Sequence, residues 1–182
     1  MILWRVFPWD EGARPGEPGS ALFFPRTFQT SGRHDNRARY GCLYTSVDAA
    51  SGVAEILAQF RGQPLSEGML DVDGIRLAIA QLELPDDAEL IDLDDPRMLR
   101  RERLRPSGVA TGDRAATQAY AERLFDKRPD ALGLRWWSTL ESSWINVTLF
   151  DRAARSLGVR GVRPLAAGDD DVGAAARFLG LG

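Results

Sequence analysis

Cysteine, histidine and lysine each occur once in this chain of 182 residues, as Cys42, His34 and Lys127. A single cysteine forbids an intrachain disulfide and excludes a cysteine-built zinc site. With one histidine, a Ser-His-Asp triad, a Cys-His dyad or a histidine-rich metal centre would have to rest on one imidazole. Chemistry therefore falls to arginine, carboxylates, hydroxyls, aromatics and backbone. Long hydrophobic runs are also missing, so no segment is expected to span a bilayer. The opening Met1-Ile2-Leu3-Trp4-Arg5 lacks the pattern of a secretory signal, and the expected location is the cytoplasm. No internal repeat, Gly-x-Gly-x-x-Gly string or P-loop occurs, so neither a Rossmann nucleotide fold nor a P-loop enzyme is supported.

What is present is ordinary globular material. Apolar residues make up 44% and charged residues 27%, enough for one domain with a real core or at most two small ones. A net charge of −3 and a pI near 5.3 argue against a general nucleic-acid surface. The strong preference for arginine over lysine fits bidentate phosphate recognition. A coding bias toward Arg and Ala is the plainer explanation, so each arginine has to be argued by position.

Residues Ile2 to Phe7 read as a strand, followed by a long Pro-, Gly- and charge-rich loop from Pro8 to Asn36. Gly41 to Ser46 reads as a short strand. A helix is expected from about Val47 to Phe60, capped by Ser46 or Asp48, with Glu55 well off its apolar stripe. Further strands are expected at Ile75–Leu84, Glu89–Leu93, Leu132–Ser138, Trp144–Phe150 and Val159–Leu165. A short helix should open at Asp95-Pro96. Asp113 should cap a helix through about Lys127, with Ala116, Ala119, Tyr120, Arg123 and Leu124 along one side, and Asp151 should cap a short one. A last short helix, or a frayed tail, is expected between Asp169 and Leu181. Short strands with interspersed helices predict an α+β fold with a mixed sheet and surrounding helices in a single domain, residues 1–182.

Two loci can carry chemistry. Arg33 lies in the polar loop Ser31-Gly32-Arg33-His34-Asp35, and Arg33, Tyr44 and Glu55 follow at intervals of eleven. Folded back on one another, the three can converge on one cleft. The plainer alternative is a solvated loop charge, a core aromatic and a solvent-facing carboxylate. The second locus is Gly133-Leu134-Arg135-Trp136-Trp137-Ser138. Adjacent tryptophans on a strand point to opposite faces, one toward the core and one toward a cleft, with the Ser138 hydroxyl at the strand end. Cys42 reads as a small core residue rather than a nucleophile. His34 reads as a loop residue, and Asp92 to Asp95 as a solvated edge and a helix cap.

The array Leu3-Trp4-Arg5-Val6, Gly32-Arg33, Leu43-Tyr44, Ala54-Glu55, Gly133-Leu134-Arg135-Trp136-Trp137-Ser138 and Val147-Thr148-Leu149-Phe150 resembles the RES domain over about residues 2–151. The tail, residues 152–182, is taken as part of the same domain. That resemblance implies an ADP-ribosyltransferase-like fold and a bacterial toxin that consumes NAD beside an antitoxin of Xre type with a helix-turn-helix. It implies Arg33, Glu55 and Tyr44 as catalytic residues, and Arg5, Arg33, Tyr44 and Ser138 as NAD-binding residues. Relatives usually carry Phe or Trp where this chain has His34, and often Tyr or Ile where it has Val6.

The residue types suit such a reaction. Two guanidinium groups can fork onto a pyrophosphate. A carboxylate can stabilise an oxocarbenium-like ribose. A tyrosine can stack or hydrogen-bond at the nicotinamide end. The expected activity is phosphorolysis of NAD to ADP-ribose 1″-phosphate and nicotinamide, with phosphate as co-substrate and no metal. Protein ADP-ribosylation through the same site is one alternative, and a non-catalytic binding module is another. Higher-order assembly with the antitoxin is possible in such families; direct nucleic-acid or membrane binding is not expected.

Overall fold

Residues 1–182 are described by a computed structural model. Along the chain lie β1 (Ile2–Pro8), β2 (Cys42–Ser46), α1 (Ala49–Leu57), β3 (Asp71–Val72), β4 (Ile75–Glu83), β5 (Leu90–Asp92), α2 (Pro96–Glu102), α3 (Pro106–Val109), α4 (Arg114–Lys127), β6 (Gly133–Trp137), β7 (Ile145–Phe150), β8 (Gly158–Pro164) and α5 (Asp170–Leu179). The chain divides into two compact units, each assembled from separate stretches. The first comprises Met1–Phe23, Thr45–Leu84 and Gly158–Gly182, and the second Phe24–Tyr44 and Pro85–Leu157. The residues of β2 change unit between Tyr44 and Thr45.

The first unit is built around β4. Its Leu77, Ala78, Ile79, Ala80 and Leu82 are all buried, the near-continuous apolar run of a strand covered on both faces. It pairs antiparallel with β1, from Ile2 opposite Glu83 to Pro8 opposite Leu77. It also pairs antiparallel with β8, and with β3 at its start. Period-two alternation along β1 buries Leu3, Arg5 and Phe7 and leaves Ile2, Trp4 and Val6 half-buried. An arginine thus stands in an apolar row. The Asp48 carboxylate accepts the Ser51 amide proton at 2.8 Å and starts α1. From there Val53, Ala54 and Leu57 turn inward, and the helix packs on β1 and α5. α1 proper is shorter than expected because its last turn tightens into a 3-10 helix at Ala58–Phe60.

In the second unit β5 runs parallel to β6, and β6 antiparallel to β7. Gly133 lets β6 approach β7: a Cβ there would collide with the Thr148 carbonyl. Ile91, Leu93, Tyr120, Leu124, Leu134, Trp136 and Phe150 close one core, to which Tyr40 and Cys42 contribute. Each side chain of this size adds about 1.5–3 kcal/mol when fully buried. Asp113 caps α4 by accepting from Ala116. The buried stripe of that helix is Thr117, Tyr120, Ala121 and Leu124, which corrects the expected one. Ala116, Ala119 and Arg123 face solvent, because polar Thr117 takes the inward position. Asp151 also departs from expectation. The segment Asp151–Ser156 is a 3-10 helix without a side-chain cap, and the Asp151 carboxylate instead accepts the Gly41 amide proton at 2.8 Å. One parallel and several antiparallel pairings, with helices between the strands, make the fold α+β with mixed sheet pairing, as the sequence suggested.

Candidate active site

The first unit carries Arg5 and Glu55. Because Arg5 lies in the inward row of β1, its guanidinium is desolvated, and burial lowers its pKa to about 10. Nη1 donates to the Ala21 carbonyl at 2.5 Å and to the Ser20 carbonyl at 3.4 Å. The guanidinium also lies over the Phe7 ring, 5.0 Å from its centroid. The end of the long loop is thereby folded back onto β1. Glu55 stands half-buried on α1, the helix that packs on β1.

Arg33, Tyr44 and Ser138 belong to the second unit. The loop bearing Arg33 enters the interior rather than running over the surface. Arg33, His34 and Asp35 are 6%, 0% and 6% exposed, so the reading of a solvated loop charge does not hold. Arg33 Nη1 donates to the carbonyls of Val109 and Thr111 at 2.9 and 2.8 Å. Its guanidinium sits 4.9 Å from the Trp136 ring centroid, a cation–π placement. Trp136 is thus the inward tryptophan of β6, and Trp137 is half-buried. Ser138, 1% exposed, follows at the strand end. Its hydroxyl accepts the Leu140 amide proton at 3.0 Å, and its own amide donates to the Trp144 carbonyl at 2.7 Å.

A buried loop must satisfy its polar groups internally, and this one does so through side chains from several elements. Gln29 acts as a surrogate strand beside Cys42: its amide nitrogen donates to the Cys42 carbonyl at 2.5 Å, and its amide oxygen accepts the Cys42 amide proton at 2.7 Å. Gln118 on α4 donates to the Gly32 carbonyl at 2.8 Å. The Asp35 carboxylate accepts from the Gly32 amide at 2.7 Å and from the Tyr44 hydroxyl at 2.8 Å. The Tyr44 oxygen in turn accepts the His34 amide proton at 2.9 Å. Arg33 and Tyr44 therefore meet through the backbone of one turn. Burial, followed by the nearby Cys42 and Asp35, pushes the Tyr44 phenol well above its ordinary range, so it stays protonated.

His34 is the centre of a second polar chain. Its Nδ1 lies 2.8 Å from the Thr148 hydroxyl and its Nε2 lies 2.9 Å from the Tyr120 hydroxyl. The Trp136 indole N–H donates to the same Thr148 oxygen at 3.0 Å. Burial, and then the charges of Arg33 and Arg114, hold the His34 pKa well below its usual value. A neutral imidazole offers one donor and one acceptor, and the two hydroxyls can match either tautomer. Its ring stands edge-on to Trp136, the aromatic surface beneath Arg33, at 5.3 Å between centroids. Cys42 donates its S–H to the His34 carbonyl at 3.2 Å. Burial, then Asp35 and Asp151, push its thiol upward, so it is a core residue and not a nucleophile.

Sequence reasoning missed Gly32, Asp35, Tyr120 and Thr148 as supports of the site. Gly32 and Thr148 carried a signal, since both stand in the quoted motifs, Gly32-Arg33 and Val147-Thr148-Leu149-Phe150. Asp95 caps α2 through Arg97, and Asp92 pairs with Arg135 at 2.9 Å, the edge and cap roles expected of that acidic run. No group of three or more His, Cys, Asp or Glu side chains converges as a metal site, and no helix is long and apolar enough to cross a membrane.

Residues 2–167 match the family described as the RES domain. No curated protein matches at a significant level. Among solved structures, the chain is similar to one in the crystal structure of the M. tuberculosis MbcT-MbcA toxin-antitoxin complex, with a TM-score of 0.67 and 16% identity over 99% of this chain and 87% of that one. That likeness is one of fold.

Proposed function

The chain belongs to the RES-domain family, and from that premise we propose that it is the toxin of a bacterial toxin–antitoxin pair that breaks the nicotinamide–ribose bond of NAD by phosphorolysis. The observation that carries this reading is the state of Arg5. It is a buried cation held by neutral carbonyls and a ring, at a cost in desolvation. A pyrophosphate would supply the missing charge, and the planar fork of arginine suits it. Arg33, equally buried and fixed against Trp136, is the second cation we assign to NAD, with Ser138 hydrogen-bonding the nicotinamide-ribose part.

In the proposed reaction the C1″–N bond breaks with its electron pair moving to the nicotinamide nitrogen, which loses its positive charge. A phosphate oxygen forms the new bond at C1″. Glu55 stabilises the oxocarbenium-like ribose between these events. Tyr44, protonated throughout, serves as an aromatic wall rather than as an acid or base. Neither thiol nor imidazole takes part, in keeping with the raised Cys42 thiol and the fully engaged His34 ring.

The shared fold with a protein solved as part of a toxin-antitoxin complex supports an antitoxin partner, which we take to be an Xre-type helix-turn-helix protein that blocks access of NAD in the cytoplasm. Purified protein incubated with NAD, with and without phosphate, tests the proposal by product identification. We expect phosphate-dependent release of nicotinamide and ADP-ribose 1″-phosphate. Glu55→Ala and Arg33→Ala should each slow it by about 10²–10³. Free ADP-ribose regardless of phosphate would replace phosphorolysis with hydrolysis, and label transferred from NAD to a protein band would replace it with protein ADP-ribosylation. Turnover unchanged in both variants would remove the site assignment.

A further inference from the structure

We propose that Asp35 is the positioning residue of the Arg33 turn, its carboxylate clasping the Gly32 amide and the Tyr44 hydroxyl so that Arg33 and Tyr44 hold a fixed geometry. This rests on the assignment of Arg33 and Tyr44 to the NAD site and adds to it a residue outside the Arg, Glu, Ser and Tyr set. Three hydrogen bonds close the clasp. Asp35 takes Gly32 N–H with one oxygen and Tyr44 O–H with the other, and His34 N–H donates back to the Tyr44 oxygen. Arg33 is the one residue between Gly32 and His34, so the clasp surrounds its backbone. Gln118 secures the Gly32 carbonyl from α4.

Two chemical consequences follow. The one proton of the Tyr44 hydroxyl is committed to Asp35, so it cannot also be donated to substrate; this chain must use the ring of Tyr44 and not its hydroxyl. Asp35, 6% exposed, has each carboxylate oxygen engaged, which makes it a support and not a base. An asparagine of the same shape could keep one partner only. Turned to accept from Tyr44, it would aim its NH2 at the Gly32 N–H.

The test compares the full chain with Asp35→Asn, Tyr44→Phe and the double variant in steady-state NAD turnover. Loss of positioning should raise KM by about 10-fold in each single variant with little change in kcat. The double variant should be no worse than the more impaired single, because either change alone opens the same clasp. A protein that is merely destabilised loses active fraction, lowering kcat at unchanged KM, and that pattern would overturn the proposal. So would effects that multiply in the double variant, or a Tyr44→Phe variant that loses kcat while Asp35→Asn behaves as wild type. Amide hydrogen exchange provides a readout that needs no NAD. The Gly32 amide should lose protection in Asp35→Asn, and the His34 amide in Tyr44→Phe; unchanged exchange at both would overturn the clasp. A wild-type chain inert toward NAD would remove the enzymatic reading, while the exchange experiment would still decide the clasp.

Discussion

Arg5 and Arg33 are both buried arginines, yet the chain secures them by opposite means. Arg5 sits in a strand whose register is set residue by residue against β4, so its direction follows from the sheet, and two carbonyls and a phenylalanine ring suffice to hold it. Arg33 sits in a turn that belongs to no strand or helix. Its direction depends on Val109, Thr111 and Trp136 for the guanidinium, and on Gly32, His34, Asp35, Tyr44 and Gln118 for the backbone. Regular structure carries its own hydrogen bonds, whereas a buried loop has to borrow them from side chains. The support of Arg33 should therefore be fragile to single substitutions, and that of Arg5 should not.

The sharpest way to break this contrast is Gly32→Ala. An added Cβ would lie 2.5 Å from the Tyr44 hydroxyl and collide with the Asp35 carboxylate. Overpacking of this kind costs about 1–3 kcal/mol, and the absence of slack puts the expected loss at the upper end. Thermal unfolding measures it, and a stability equal to wild type would show that the turn has room to yield.

His34→Phe comes next. It leaves the Thr148 and Tyr120 hydroxyls short of a buried partner, at about 1–3 kcal/mol. Adding Tyr120→Phe should recover part of that loss, since one orphaned hydroxyl is then gone. Urea unfolding of the two variants decides it, and a purely additive result would mean that His34 and Tyr120 act independently.

A smaller effect is expected on acidification. His34 titrates near 6.5 when unfolded but far lower when folded. Its contribution is complete above about pH 6.5 and is lost as pH falls below that value, by about 1 kcal/mol between pH 6.5 and 5.5. The same descent measured in His34→Phe should be shallower by that amount. The smallest change belongs to the other arginine's unit: Asp48→Ala removes the cap of α1, for about 0.5–1 kcal/mol. NMR signals of the Arg33 turn should stay in place there. Their movement would mean that the Arg33 turn depends on more than the partners named for it.

The same contrast explains what could be read from the sequence. Elements with local signals were legible: Asp48, Asp95 and Asp113 as caps, and β1 and β4 from their patterning. Arg33, Tyr44 and Ser138 came from motif resemblance, and nothing in their spacing required them to meet. Local pattern could not reveal partners far away in sequence. His34 meets Thr148 across 114 positions, and Gly32 meets Gln118 across 86. For the same reason the α4 stripe was misplaced by one position: Thr117 looks solvent-facing until the threonine is seen to be buried with its hydroxyl donating to the Arg114 carbonyl at 3.1 Å.

The discontinuous make-up of the first unit bears on how the molecule is born. β8 and α5 are synthesised well after β1, α1 and β4, yet β8 flanks β4 and α5 covers α1. Until they leave the ribosome, the strand bearing Arg5 and the helix bearing Glu55 belong to a half-covered core that cannot close. A nascent chain therefore completes that unit only after β8 and α5 have been made and have emerged.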